Sequence, residues 1–135
     1  MMKKIIKIIL VVSLTISVLS ISAVAADPMF GDYYLLRTDH AYSGLAKKLN
    51  STGTSASITS NPDNNARMYY QVRNNNNDNM SNPIYITGSG TQSASYKKDG
   101  YGNSLGRNGY EYKLLVLHSE NSTQTDTIVG GTWKP

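Results

Sequence analysis

The chain has 135 residues, no cysteine, ten tyrosines, one Phe, one Trp and a formal net charge of +4. Without cysteine there is no disulfide scaffold and no lipoprotein anchor, and two histidines, His40 and His118, do not supply a zinc-ligand spacing. Three of the 13 basic residues fall within the first seven positions and no acid precedes Asp27, so from Ala26 onward ten bases face nine acids and the electrostatic case for nucleic acid or an anionic membrane disappears.

Lys3, Lys4 and Lys7 form a positive n-region, residues 8–22 are mostly apolar, and Ala23-Val24-Ala25 is an A-x-A site for cleavage between Ala25 and Ala26. The competing reading is an uncleaved anchor, because residues 8–26 approach the roughly 20 apolar residues needed to cross a bilayer. Ser13, Thr15, Ser17, Ser20 and Ser22 dilute that segment, and the small residues stand where signal peptidase needs them. The expectation is a signal peptide over 1–25 and one secreted domain over 26–135, extracellular or cell-surface associated, which meets the membrane only during export. A domain of about 110 residues buries about two-thirds of its unfolded-chain surface, enough for one core.

Short runs with period-two alternation follow one another, bounded by Asn, Gly, Asp and Ser clusters. They lie at 33–37, 55–59, 67–73, 84–87, 93–96, 110–118 and 127–133. Residues 41–49 fit both an extended segment and helical spacing through Leu45, Ala46 and Leu49; the extended reading is preferred. In 67–73, Met68, Tyr70 and Val72 share one face while Arg67, Tyr69, Gln71 and Arg73 share the other, so a one-residue slip would bury two arginines. Leu114-Leu115-Val116-Leu117 is apolar on both faces and predicts a central strand with a two-sided core. Gly130-Gly131 predicts a bulge in the last strand that turns Trp133 inward. About seven antiparallel strands imply an all-β sandwich or barrel-like domain, with tyrosine as the main large core residue.

No constellation of residues reads as catalytic. His118-Ser119-Glu120 cannot assemble a triad along one strand, because adjacent side chains point to opposite faces; a surface or strand-end histidine is expected. Gly88-Ser89-Gly90 lacks the nucleophile-elbow spacing, and Glu111 and Glu120 are the only glutamates for a glycosidase pair. The Asn and Asp clusters lack the spacing of a calcium loop. The Gly100 to Gly106 run has one residue too many for a dinucleotide loop and reads as a glycine-rich turn. Sequons at Asn50, Asn79 and Asn121 matter only in a eukaryotic secretory pathway. Asn74-Asn75-Asn76-Asn77 reads as a mobile hairpin tip. Neither a metal nor a cofactor is expected. The one positive indication is exposed tyrosine: Tyr69, Tyr101 and Tyr33 or Tyr34 would suit an aromatic platform for sugar, peptidoglycan or protein, although strands favour tyrosine in any case.

The Ala41-Tyr42-Ser43 segment, the Tyr112-Lys113-Leu114 strand, the Glu120-Asn121-Ser122 turn and the ending Ile128-Val129-Gly130-Gly131-Thr132-Trp133-Lys134-Pro135 resemble small secreted Gram-positive bacterial proteins of an unknown-function domain family. The chain is also distantly similar to lactococcin-type β-sandwich bacteriocins, in which the Gly-x-Trp element lies near the mature N-terminus rather than at the C-terminus. These resemblances imply an exported β-sandwich and bring no catalytic residue with them. The function expected is non-enzymatic binding to a cell-surface, cell-wall or protein target, as a bacteriocin-like protein, a carbohydrate-binding module or a structural interaction protein.

Overall fold

Period-two alternation is realised as strands throughout the computed structural model, which describes residues 28–49 and 53–135. The expected signal peptide, its Ala25–Ala26 cleavage site and the Asn50 sequon lie outside the described residues. The strands are β1 (Met29–Leu36), β2 (His40–Tyr42), β3 (Ala46–Lys47), β4 (Ser55–Pro62), β5 (Arg67–Arg73), β6 (Ile84–Thr87), β7 (Gly90–Ser95), β8 (Glu111–His118) and β9 (Asp126–Lys134). One sheet has the order β1-β9-β4-β7 and the other β2-β8-β5-β6, with β3 also pairing to β8. All pairings are antiparallel. The domain is an all-β sandwich.

The core fills the space between the sheets with every second residue of each strand. Ala56, Ile58, Val129 and Trp133 from one sheet meet Met68, Tyr70, Val72, Leu114 and Val116 from the other, all fully enclosed. Phe30 bridges the layers, its ring 5.9 Å from that of Tyr70. Full burial of side chains of this size is worth about 1.5–3 kcal/mol each, so this interleaving dominates the stability of a chain without cysteine. Core tyrosines keep their hydroxyls satisfied where they can reach a partner: Tyr70 pairs with the Ser60 hydroxyl. The Tyr112 hydroxyl donates to the Leu105 carbonyl at 2.8 Å and accepts from Arg107 N–H at 2.8 Å, which pins the β7–β8 loop to the core.

Residues 41–49 are extended, as preferred, but the extension is broken. At the break Ser43 N–H donates to the Leu114 carbonyl, and Leu114 N–H donates back to the Ser43 hydroxyl at 2.8 Å. A side-chain oxygen thus stands in for a backbone carbonyl, and β2 and β3 together edge β8.

Two expectations need correction. The bulge is not in β9: that strand pairs with β4 without interruption from Val129 to Lys134, while the register shift lies in β1 between Phe30 and Tyr33. Gly131 is glycine for a different reason, close approach, because a Cβ there would overlap the Thr59 carbonyl oxygen. Trp133 does point inward and is 1% exposed. The strand β8 is central, but its second apolar face does not enter a core; Leu115 and Leu117 lie on the outer side of the sheet, where they floor the surface described next.

Candidate functional site: an aromatic and cationic sheet face

The register of the second sheet places one outward residue of each strand beside its neighbours. Tyr85 pairs with Tyr69, Tyr69 with Leu117, and Leu117 with His40, which makes a row across all four strands. With strands spaced at about 4.8 Å, that row runs about 14 Å. Two residues further along lies Gln71–Leu115–Tyr42, and beyond it Arg73–Lys113. At the opposite end Arg67 pairs with Thr87. No carboxylate occupies any of these positions; Glu111 follows only past Lys113, paired with Lys47.

Cations lie directly on the rings. The Arg67 guanidinium is 4.6 Å from the centroid of Tyr85, and the Lys113 ammonium is 4.8 Å from that of Tyr42. Tyr69 and Tyr85 meet edge to face at 5.3 Å, and His40 meets Tyr42 the same way at 5.6 Å. The Tyr69 hydroxyl donates to Gln71 Oε1 at 3.0 Å, and Gln71 Nε2 donates onward to the Ser81 carbonyl at 3.0 Å. Burial raises the Tyr69 hydroxyl above its ordinary value, with Arg73 opposing and Tyr85 adding to the shift. Tyr69 therefore stays protonated and fixed in this network. The centre of the face is low, with Gln71 at 2% and Leu115 at 5% exposure, whereas Tyr85 at 43% and Tyr42 at 37% stand up at its sides.

Beyond Arg73 and Lys113 lies an open cleft of about 400 Å³, lined by Asn74, Asn75 and Asn76 with Gly109, Tyr110, Glu111 and Lys47. The Asn74 side chain clasps that turn, accepting from the N–H groups of Asn76 and Asp78 at 2.9 Å each, while Arg73 donates to the Asn77 carbonyl at 2.7 Å. The asparagine run is an exposed turn at the end of β5, as expected, closed by its own hydrogen bonds.

The outer face of the first sheet has a different chemistry. Ser57, Thr59, Thr91, Ser93 and Thr132 line it with hydroxyls, and exposed Tyr34 and Ile128 adjoin at its β1–β9 end. Tyr34 there donates to Asp126 at 3.1 Å, which raises its own pKa.

The chain matches no protein-family model, no curated protein and no solved structure. Function must be read from the geometry alone.

The structure brings together only part of what the sequence offered. Tyr69 lies on the outer face, as its strand pattern requires, but its ring partner is Tyr85 and not Tyr101. Tyr101 is 93% exposed in the β7–β8 loop, and no ring contact joins it to Tyr69 among the described residues. Its loop is an Asx turn in which Asp99 accepts from Tyr101 and Asn103 N–H, and those bonds, Asn103 first, hold the Asp99 carboxyl below its usual range. Tyr33 also turns away, donating to the Tyr42 carbonyl at 2.9 Å.

His118 corrects the surface expectation. It ends β8 but is fully enclosed, with Nδ1 3.2 Å from the Leu35 carbonyl and Nε2 without a partner. Its neighbour Glu120 is exposed, so the His-Ser-Glu sequence forms no cluster. The residues missed by sequence reasoning are Tyr42, Tyr85, Arg67, Arg73, Lys113 and Leu117. Alternation alone marks Tyr85 as outward, since Ile84 and Ile86 flank it, but only the register sets it against Tyr69.

Proposed function

We propose that this is a secreted, non-enzymatic binding protein that acts at or outside the cell surface, with a cell-wall glycan as ligand and the outer face of the β2-β8-β5-β6 sheet as its contact surface. The observation that carries the reading is the row Tyr85–Tyr69–Leu117–His40, an aromatic and apolar stripe across four strands, held rigid by the sheet, with Tyr85 and His40 exposed and Tyr69 and Leu117 half-buried. Rigid aromatic side chains give contact area at low entropic cost, which suits a binding surface. The polar cleft at the end of the face, lined by asparagines, Tyr110, Glu111 and Lys47, adds polar residues of the kind that sugar hydroxyls need. A non-enzymatic role is favoured because the enclosed His118 places Nδ1 against the Leu35 carbonyl, with the neighbouring Glu120 exposed, and His40 packs on Tyr42. Export is supported by the n-region, apolar stretch and A-x-A site of the sequence.

The test is co-sedimentation of the purified domain with isolated bacterial cell walls. Wild type should sediment with the walls, and Tyr85→Ala and Tyr42→Ala should each weaken binding by about tenfold, since a truncated aromatic anchor costs more than about 1 kcal/mol. Hydroxyl-face Thr91→Ala should bind like wild type. Equal binding by all three variants, with folding confirmed, refutes the assignment of the surface.

A further inference from the structure

The face described above carries information about the charge of its ligand. We infer that the ligand is an anionic polysaccharide chain, laid along β5 from Arg67 to Arg73 and Lys113; this rests on the binding role proposed above. Neutral sugars stack on open aromatic faces, but here Arg67 covers Tyr85 and Lys113 covers Tyr42. One face of each ring is therefore taken by a guanidinium or an ammonium, which a ligand stacking there would meet. Neither these two cations nor Arg73 has a carboxylate within ion-pair distance among the described residues, where the recorded ion pair is Arg107–Asp99 at 3.7 Å. The chain is nearly neutral from Ala26 onward, so three cations on one face without an acid between them is a local concentration of charge.

Spacing selects the kind of anion. Arg67 and Arg73 are six residues apart on one strand, which is about 20 Å at about 3.3 Å per residue. A single small anion reaches one end only, whereas a chain with repeated carboxylates or phosphates reaches both. Shape narrows the class further. The low centre at Gln71 and Leu115 between the raised Tyr85 and Tyr42 forms a shallow trough that accepts a rod, while a flat bilayer touches only its rims. Nucleic acid is disfavoured because its binding rests on neutralising many backbone phosphates, against three cations here.

The experiment measures retention of the purified domain on immobilised polygalacturonate and on neutral dextran, with anionic phosphatidylglycerol vesicles and single-stranded DNA as further arms. Wild type should bind polygalacturonate in preference to the other three and should lose binding as salt is raised, because exposed charges are screened within about 10 Å at 0.1 M. Arg67→Gln and Lys113→Gln should each weaken binding by about fivefold, the loss expected for one cation near an anionic surface, and by about thirtyfold together. Equal retention on dextran, insensitivity to salt, or unchanged binding by the folded double variant overturns the inference. Stronger binding to vesicles or DNA overturns it as well. If Tyr85→Ala and Tyr42→Ala weaken cell-wall binding while the charge variants do not, the surface is correct and the anionic ligand is wrong; if neither set has an effect, the surface assignment fails, and if wild type does not sediment with cell walls, the binding role itself fails.

Discussion

Replacing Gly131 with alanine adds one methyl group at the tightest point between β9 and its neighbours. Its Cβ would overlap the Thr59 carbonyl oxygen, a backbone atom in the β4–β9 ladder, and lie 2.7 Å from Phe30 Cζ. Neither can give easily, since Thr59 O belongs to the strand itself and Phe30 is 1% exposed against Tyr70. Overpacking of this kind costs about 1–3 kcal/mol, and the backbone overlap places Gly131→Ala toward the upper end. The lower entropy of the unfolded alanine chain returns at most about 1 kcal/mol, leaving a net loss of about 2 kcal/mol. Gly130→Ala is the internal control. Its nearest neighbour is Asp32 Oδ1 at 2.8 Å, the far end of an exposed side chain that can rotate away, so that variant should stay within about 0.5 kcal/mol of wild type. Gly44→Ala meets nothing within 4 Å and should be neutral or slightly stabilising. Thermal melts followed by the fluorescence of the single, buried Trp133 measure all three, and a 2 kcal/mol loss should appear as a melting point lower by roughly 10 °C. A Gly131→Ala protein as stable as wild type, or a Gly130→Ala protein less stable than it, would refute the close-approach explanation.

Trp133→Ala should destabilise by about 3–5 kcal/mol in a denaturant titration read by circular dichroism, since the ring is fully enclosed opposite Ile58. Ser43→Ala leaves Leu114 N–H buried without its acceptor and should cost about 1–3 kcal/mol by the same measurement, whereas Ser43→Thr should recover part of the loss. Burial raises the hydroxyls of Tyr70 and Tyr96 well above ordinary tyrosine, so the unfolded chain releases those protons first. The stability they confer is complete below about pH 10 and falls above it by up to about 1.4 kcal/mol per pH unit for each tyrosine. Lys48, whose amine burial lowers, works in the opposite direction as pH approaches 10.5. Melting points between pH 9 and 11 should therefore fall less steeply in Tyr70→Phe than in wild type, and parallel curves would count against the assignment.

The fold was legible wherever one face of a strand differs from the other. Arg67–Arg73 and Ile84–Thr87 have the boundaries that alternation predicts, because burying Arg67 or Arg73 would cost far more than any alternative register returns. Legibility failed where a residue answers to a neighbour distant in sequence. Gly131 is small on account of Thr59 and Phe30, and nothing in Gly130-Gly131 distinguishes that constraint from a bulge. The β2–β3 break depends on a serine hydroxyl reaching Leu114, a contact across 71 residues.

The site illustrates the same limit more severely. Its members come from β2, β5, β6 and β8, and each looks unremarkable where it stands in the sequence: a tyrosine in a strand, an arginine at a strand end, a leucine in an apolar run. The sequence marks Tyr69 as outward because its own strand alternates, and groups it with Tyr101 and Tyr33 or Tyr34 because all are expected to be exposed. Register decides otherwise. Tyr85 reaches Tyr69 because the loop between β5 and β6 sets Ile84 opposite Tyr70, and a slip of one residue would send Tyr85 into the core and Ile86 out to solvent. Leu115 and Leu117 show the consequence for β8. An apolar residue on both faces reads as a second core, yet here the outer pair lies in register with Tyr69, Gln71, His40 and Tyr42 of the neighbouring strands, so the same leucines that lengthen the hydrophobic run also make the floor of the proposed binding face.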